Sequence, residues 1–445
     1  MAKLIAKLQA YRQASSMKIL SRQSRATRTK PGERTRRFAA FDNRNFRRYY
    51  VGQTISSIGS WSNTLAVTWL VLELTNRSDQ LGIAMALQFL PLLVLGAPAG
   101  VLADRFDNRR LLVTTSTISG LLALSIGAVV ASGHITIWWI YAFALMFGLV
   151  LAVERPTMQA FVYQLVGPEL LARAVAANGT INAASRLVGP AMAGALIATF
   201  GVKVNFFVDG ASYVVVIVAL AGLRMSELVP RPLGGRTKRR LREGFAYVRA
   251  HPDVARPLLV MAVVGTIALN FQTTYPSMIR FGFHLGAGSI GTAMSVSAIG
   301  SILGGIYIAG VEPHPRRTFA IVLACFGAAL LALAVAPTYL VFVLVSVPLG
   351  FASASFQSLN TIVVQQATEP AMLGRVMALH QMAWFGSTPI GALLMGWVIS
   401  VTSPRVPFAL GAVSAVACAA AVLGSRVRRL ATDDQSPICQ RRLPC

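Results

Sequence analysis

The sequence predicts an all-α membrane protein in which twelve transmembrane helices form two six-helix, pseudo-symmetric halves. Three observations predict this class: an apolar composition, a series of long apolar runs and an internal repeat. The chain has 445 residues, of which 55% are hydrophobic and 13% are charged. A soluble protein carries about 25% charged residues. Since a backbone in lipid must satisfy its hydrogen bonds internally, the apolar runs are expected to be helices.

The apolar runs are each long enough to cross a bilayer, which takes about 20 residues. They are Tyr49–Leu74, Leu81–Leu102, Leu111–Ala131, Ile137–Val162, Ala174–Phe200, Val204–Leu223, Pro257–Met278, Ile290–Val311, Thr318–Ala336, Tyr339–Val364, Val376–Val401 and Pro407–Leu423. They divide the chain into a basic N-terminal tail (1–45), a first bundle (46–223), a basic linker (224–256), a second bundle (257–424) and a basic C-terminal tail (425–445).

The internal repeat joins the two bundles. The pattern Gln-x-x-x-Pro-x-x-Leu-x-Arg-x-x-Ala begins at Gln164 and again at Gln366, and Gly-x-x-Met begins at Gly82 and again at Gly291. The recurring offset of about 202 to 209 residues indicates two related six-helix halves. Parallel halves place a binding site between them, near the middle of the membrane. The alignment of the fourth run with the tenth also places Glu154-Arg155-Pro156 inside a helix.

The net charge of +25 is concentrated outside the apolar runs. Fourteen Lys and Arg lie in residues 1–48 and nine in the linker 224–256, while the loops on the opposite side carry few. The positive-inside rule therefore predicts that both termini and the linker are cytoplasmic and that the protein is a multi-pass protein of the cell membrane. The basic tails are expected to contact anionic lipid headgroups rather than nucleic acid. Met17 offers an alternative start.

A short charged turn separates the second and third runs. It has Gly100, then Asp104 and Arg105, and after a short gap the basic pair Arg109 and Arg110. It resembles the signature loop of the major facilitator superfamily, although Asp107 stands where that family usually has Gly. The resemblance implies that this loop stabilises one of two access states, as a conformational latch. The residues concerned are Gly100, Asp104, Arg105, Arg109 and Arg110.

Three ionisable residues inside apolar runs are candidates for proton coupling: Glu154, Arg186 and Asp209. An ionisable group in a membrane is costly and is usually functional and cavity-facing. Two alternatives stay open at this point. Glu154 and Arg155 or Arg186 could form a structural ion pair, and Arg186 could bind an anionic group of a substrate.

Gly189, Pro190 and Gly194 form a motif on the fifth run. It resembles the fifth-span glycine-proline motif that is associated with antiporters of the superfamily. Close helix packing is the simpler interpretation, because small residues let helices approach each other. Other polar or aromatic residues in the apolar runs are candidates for a substrate cavity, namely Gln53, Asn63, Asn182, Asn270, Gln272, Gln357, Asn360 and Trp384.

The chain as a whole, over residues 46–424, is similar to the major facilitator superfamily, and to the exporter branch that includes enterobactin and drug-efflux carriers. The resemblance implies export of a small amphipathic molecule, a drug or a siderophore, driven by a proton gradient. The sequence contains no Gly-x-x-x-x-Gly-Lys-Ser/Thr phosphate loop, so ATP-driven pumping is unsupported. We expect no metal, no cofactor, no enzymatic activity and a monomer. Two alternatives are an uptake or facilitated-diffusion carrier for a polar solute and a non-transporting membrane sensor or scaffold.

Overall fold

The computed structural model describes residues 39–229, 237–310 and 315–433. The two predicted tails therefore lie largely outside the described residues. In the first half, α1 spans Arg44–Thr75, α2 Ser78–Arg105, α3 Asn108–Ala131, α4 Ile137–Phe200 and α5 Val202–Ala221. In the linker, α6 spans Thr237–Ala250. The second half contains α7 (Pro252–Ile267), α8 (Phe271–Ser277), α9 (Ala287–Gly310), α10 (Pro315–Ala334), α11 (Tyr339–Ala367), α12 (Leu373–Val401) and α13 (Val406–Asp433).

These helices supply twelve membrane crossings. Ten helical segments of the described chain are long and apolar enough to cross a membrane. One of them, α4, is 64 residues long and carries two crossings, which meet where Gly167 leaves helical geometry at φ 71° and ψ 179°. Glycine is suited to that position because a side chain is strained at positive φ. The twelfth crossing is α1, whose many polar residues lower its mean hydropathy. The all-α membrane fold predicted from the sequence is confirmed.

The fourth crossing runs without interruption through Glu154 and Pro156, so the prediction that these residues lie inside a helix is confirmed. Their helix bends back only at Gly167, on the linker side. Proline cannot donate a backbone hydrogen bond, which weakens the helix at Pro156 without ending it.

The seventh crossing differs from the sequence prediction of one continuous helix over Pro257–Met278. It is broken between α7 and α8, and a π-helical turn, Met278–Gly282, follows α8. The break frees backbone carbonyls, and the Asn270 side chain satisfies one of them, since its Nδ2 donates to the Thr266 carbonyl oxygen at 2.7 Å. Non-helical backbone at this depth is tolerated where it lines a cavity or is buried in protein.

The two halves meet at their ends away from the linker along two seams of small residues. A Cβ atom on Gly291 of α9 would lie 2.4 Å from the Pro190 carbonyl oxygen of α4, and a Cβ atom on Gly82 of α2 would lie 2.4 Å from the Ala392 carbonyl oxygen of α12. Gly82 and Gly291 are 209 residues apart, and Pro190 and Ala392 are 202 apart. The seams are thus the same contact made twice, at the offsets of the sequence repeat.

The linker helix α6 packs on the second half. Arg375 forms an ion pair with Glu243 of α6, with Nη2 and Oε2 3.1 Å apart. The backbone N–H of Glu369 donates to the Tyr247 hydroxyl at 3.2 Å. At the start of the linker, Asn45 of α1 and Arg224 exchange two hydrogen bonds of 3.0 Å. The two described ends of the linker are therefore each fixed to a different half.

Candidate functional site

A cavity of about 560 Å³ lies between the two halves. Its walls come from α1, α2, α4 and α5 on one side and from α7, α8, α9, α11 and α12 on the other. The break in the seventh crossing opens directly into it, since Leu269, Asn270 and Phe271 all line the cavity. The seams close the cavity on the side away from the linker.

The charged side chains of this cavity come from α4. Among the described residues that line it, the charged ones are Glu154, Arg155 and Arg186. In the described part of the chain, no ion pair within 4.0 Å joins Glu154 to either arginine. The structural ion pair that the sequence left open is thus not formed in this conformation. An acid and two guanidinium groups instead share one membrane-embedded space.

Both guanidinium groups lie over aromatic rings. The guanidinium carbon of Arg186 lies 5.3 Å from the centre of the Trp61 ring on α1, and that of Arg155 lies 5.7 Å from the centre of the Phe385 ring on α12. A cation within about 6 Å of an aromatic face is attracted by the ring quadrupole. The second contact crosses from one half to the other. Stacking engages the flat face of a guanidinium and leaves the N–H groups at its edge available.

Asp209 lies behind the wall of the same cavity. Its side chain is fully buried in α5, and neither carboxyl oxygen has a hydrogen-bond partner in the part of the chain that the structure describes. A Cβ atom on Gly59 of α1 would lie 2.9 Å from its Oδ1. One turn further along α5, Tyr213 reaches the cavity, and its hydroxyl lies 3.3 Å from the Ser60 hydroxyl. Asp209 is therefore not among the residues that line the cavity, whereas Tyr213 and Ser60, which follows Gly59 in α1, do line it.

Most of the predicted cavity residues line the cavity. These are Gln53, Asn182, Asn270, Gln272, Gln357 and Trp384. Two lie elsewhere. Asn63 is buried within the first half, and Asn360 is fully buried and donates to the Pro257 carbonyl oxygen at 3.0 Å. The Oδ1 of Asn360 also lies 2.9 Å from His380 Nε2, so this amide connects three helices of the second half.

The glycine-proline motif on α4 has two separate contacts. A Cβ atom on Gly189 would lie 2.5 Å from the Trp61 Cβ, so this position holds α4 against α1. Pro190 and Gly194 face the other half, and a Cβ atom on Gly194 would lie 3.1 Å from Gly288 of α9. The motif thus positions Trp61 beneath Arg186 and forms one of the two seams.

The predicted latch lies at the linker end of the first half. Gly100 and Asp104 lie on α2 by their backbone, and the Asp104 side chain is outside the described part. Arg105 and Arg110 are exposed, whereas Arg109 donates from Nε to the Leu220 carbonyl oxygen and from Nη2 to that of Ala221, both at 2.8 Å. Arg109 therefore caps the end of α5, where a positive charge is favourable.

The backbone conformation at Asp107 does not require the glycine that the superfamily usually has at this position. Its backbone has φ −63° and ψ 117°, which any residue adopts. Its carboxylate accepts a hydrogen bond of 2.8 Å from the Arg110 backbone N–H and so caps the N-terminus of α3. Asp is among the preferred residues for this role.

The sequence does not predict the roles of Arg155, Tyr213 and Phe385 in this site. It suggests Arg155 only as an ion-pair partner, and Tyr213 and Phe385 resemble ordinary residues of an apolar run. The signal for Arg155 was available, because an arginine beside a membrane acid carries the same cost of burial. Nothing in the sequence marks Phe385, since its place opposite Arg155 depends on how the halves dock.

Comparison with known proteins agrees with this architecture. A model of the family described as "Transmembrane secretion effector" matches residues 35–444. The staphyloferrin A transporter of Staphylococcus aureus is 25% identical over 76% of this chain and 85% of its own length. The macrolide efflux protein A of Streptococcus pyogenes is 23% identical over 78% and 87%, and the enterobactin exporter of Citrobacter koseri is 24% identical over 81% and 86%.

Solved structures share the fold at lower sequence identity. The nucleoside transporter NupG superposes with a TM-score of 0.67 at 13% identity, over 86% of this chain and 98% of that one. A bacterial homologue of the human lysosomal transporter Spinster, in an inward-facing and unoccupied conformation, superposes with a TM-score of 0.66 at 15% identity, over 92% and 100%.

Proposed function

Because the chain belongs to the transmembrane secretion effector family of the major facilitator superfamily, we propose that it is a proton-coupled antiporter that exports a small amphipathic molecule by alternating access. The family and the relatives above are transporters and not enzymes. The relatives named for siderophores and for macrolides support a drug or a siderophore as the cargo of this chain.

The observation that carries the proposal is the position of Glu154. Its carboxyl group faces a cavity between two halves, at membrane depth, and has no ion-pair partner within 4.0 Å among the described residues. A carboxyl group in such a place can take a proton from one side of the membrane and release it to the other. Exchange requires that the proton and the cargo use this group in turn, and Glu154 is the acid that the cargo can reach.

Asp209 is proposed as a second proton carrier. An ionised carboxylate without a partner is costly to bury, so in this conformation Asp209 is expected to be neutral and to hold its proton. Tyr213, one turn further along α5, and Ser60, next to Gly59, line the cavity, and we propose that their hydroxyl groups form the route for proton exchange. Arg186, the third predicted coupling residue, is proposed to act on the cargo.

The seams support a rocking motion of the halves. They close the cavity away from the linker, and the positive-inside rule assigns the linker side to the cytoplasm. The described conformation is then the one that loads cargo from the cytoplasm. Separation of the seams would open the same cavity to the opposite side. We further propose that a single chain suffices, that the proton gradient is the only energy source and that the basic tails rest on anionic lipid.

The proposal is tested in inside-out membrane vesicles, where an exporter accumulates its cargo. Cargo is found with a panel that includes a macrolide and a siderophore. Accumulation that requires an acidic lumen and that stops with a protonophore supports the proposal. The Glu154→Gln variant is expected to lose gradient-driven accumulation, whereas Glu73→Gln, which removes an exposed acid at the other end of the first half, is expected to keep it. Full proton-driven transport by Glu154→Gln would contradict the assignment of the proton site.

The orientation of the vesicles distinguishes export from uptake. An uptake carrier would concentrate the same solute in right-side-out vesicles with the opposite gradient, and a facilitator would only equilibrate it. Equal transport with and without a gradient would therefore replace the antiporter proposal.

A further inference from the structure

The charges in the cavity point to the chemical class of the cargo. We propose that the cargo is amphoteric: it carries an anionic group that binds Arg155 or Arg186, a separate amine that binds Glu154, and an aromatic or apolar body. This inference rests on the antiporter function proposed above and narrows its cargo.

All three charged side chains of the cavity are without an ion-pair partner among the described residues. Arginine stays protonated in proteins, and its planar fork binds a carboxylate through two parallel hydrogen bonds. Both arginines line the cavity and neither has an ion-pair partner within 4.0 Å among the described residues. Each of these guanidinium groups therefore offers an N–H edge in a membrane-embedded cavity to which an anionic group can bind.

The aromatic contacts fix the two guanidinium groups before any cargo binds. Trp61 lies under Arg186, and Phe385 lies under Arg155. Because stacking restricts these long side chains, less conformational entropy is lost when their edges bind a ligand. A neutral or purely cationic cargo would leave two positive charges unpaired or would be repelled by them.

Glu154 adds the opposite requirement. It is the acid among the described lining residues, and the adjacent Arg155 does not pair with it in this conformation. An amine on the cargo would form a charge-assisted hydrogen bond with the ionised carboxylate. The amine and a proton then compete for one carboxylate, which is the condition for exchange. A purely anionic cargo would bind better when Glu154 is protonated, and proton and cargo would move together.

The body of the cargo is matched by the remaining walls. Phe271 and Trp384 line the cavity together with polar amides, and the cavity volume of about 560 Å³ suits a drug-sized molecule. A lone ion of either sign would leave these aromatic surfaces in contact with water.

Three forms of one molecule test the inference. Norfloxacin is a fluorescent aromatic compound with one carboxylate and one secondary amine. Its ethyl ester lacks the anion, and its N-acetyl derivative lacks the amine. Binding to the full chain in lipid nanodiscs is measured by fluorescence anisotropy, without any proton gradient. Norfloxacin is expected to bind about tenfold or more tightly than either derivative, because each derivative loses a charge-assisted contact.

Variants at the three charged positions should show a crossed pattern. At least one of Arg155→Gln and Arg186→Gln is expected to weaken the binding of norfloxacin and of the N-acetyl derivative about tenfold or more and to leave the binding of the ester unchanged. Glu154→Gln is expected to weaken norfloxacin and the ester and to spare the N-acetyl derivative. Arg249→Gln, which removes an exposed positive charge from the linker helix, is the control.

The inference is overturned if the three compounds bind the unmodified chain equally or not at all, or if an arginine variant weakens the ester as much as norfloxacin. The comparison on the unmodified chain needs no variant to fold. Because binding is measured without a gradient, discrimination between the three forms can fail while proton-driven export in vesicles succeeds, or the reverse. Failure of the cargo class is thereby distinguished from failure of the antiporter function.

Discussion

The guanidinium carbon of Arg280, in the π-helical turn of the second half, lies 5.2 Å from the centre of the Trp69 ring in the first half. Close to it, the Ser78 hydroxyl donates to the Ser277 hydroxyl at 2.9 Å. Both contacts join the halves at the end away from the linker. The side chains there close the cavity on the same side as the two glycine seams.

A disulfide across this closure should stop transport. In a chain whose native cysteines are replaced by serine, Ser78→Cys combined with Ser277→Cys is expected to cross-link readily, because the two hydroxyl groups are already in contact. Transport should be lost on oxidation and recovered on reduction, as measured by vesicle uptake. Each single cysteine variant serves as control. Unchanged transport by a fully cross-linked chain would contradict a role for this closure in the cycle.

Adding one methyl group to a seam should destabilise the conformation in which the seam is closed. Gly291→Ala places a Cβ atom 2.4 Å from the Pro190 carbonyl oxygen, whereas Gly305→Ala on the same helix meets nothing within 4 Å. Overpacking costs about 1–3 kcal/mol, which shifts the balance toward separated seams by roughly 5- to 150-fold. We expect slower transport and greater cysteine labelling from the outer side for Gly291→Ala. Gly82→Ala should behave alike, and identical labelling of Gly291→Ala and Gly305→Ala would contradict the seam.

The two arginines after the charged turn should differ in their contribution to stability: Arg109 stabilises the fold and Arg110 does not. Arg109→Gln loses two hydrogen bonds to the last carbonyls of α5, at a cost of about 1 kcal/mol or more. Arg110 is exposed, so Arg110→Gln should have little effect on stability. The midpoint of thermal unfolding in detergent distinguishes the two. Equal midpoints would show that Arg109 does not hold α5.

The neutral state proposed for Asp209 predicts that the Asp209→Asn variant folds stably. Asp209→Asn keeps the shape of a protonated carboxyl group, so the free energy of unfolding should change by less than about 1 kcal/mol. Proton movement coupled to transport, followed with a pH-sensitive dye in vesicles, should fall. A large loss of stability would instead mean that the carboxylate is ionised and paired in the folded chain.

The sequence predicted the architecture well because the signals were local. All crossings except α1 contain a stretch long and apolar enough to span a membrane, and the repeat that begins at Gln164 and Gln366 requires no knowledge of contacts. The same repeat even located Glu154 within its helix. The repeat could not predict the break at Asn270, because the corresponding stretch of α1 is continuous and the difference lies in how one side chain satisfies a freed carbonyl.

The site was predicted less completely, since polar residues on a membrane helix look alike in sequence. Gln357 and Asn360 are less than one turn apart on α11, yet Gln357 faces the cavity and Asn360 is fully buried against the Pro257 carbonyl. Which of them meets water depends on the rotation of α11 within its bundle. The contact between Arg155 and Phe385 depends further on how two bundles dock.

The seams bring carbonyl oxygens against glycine positions. Main-chain atoms, rather than variable side chains, therefore close the cavity at the end away from the linker. In the proposal above, selectivity for the cargo resides elsewhere, in side chains such as Arg155 and Arg186. Single substitutions in the cavity could therefore change the cargo of such a carrier while the seams stay unchanged. One scaffold can in this way serve chemically unrelated solutes.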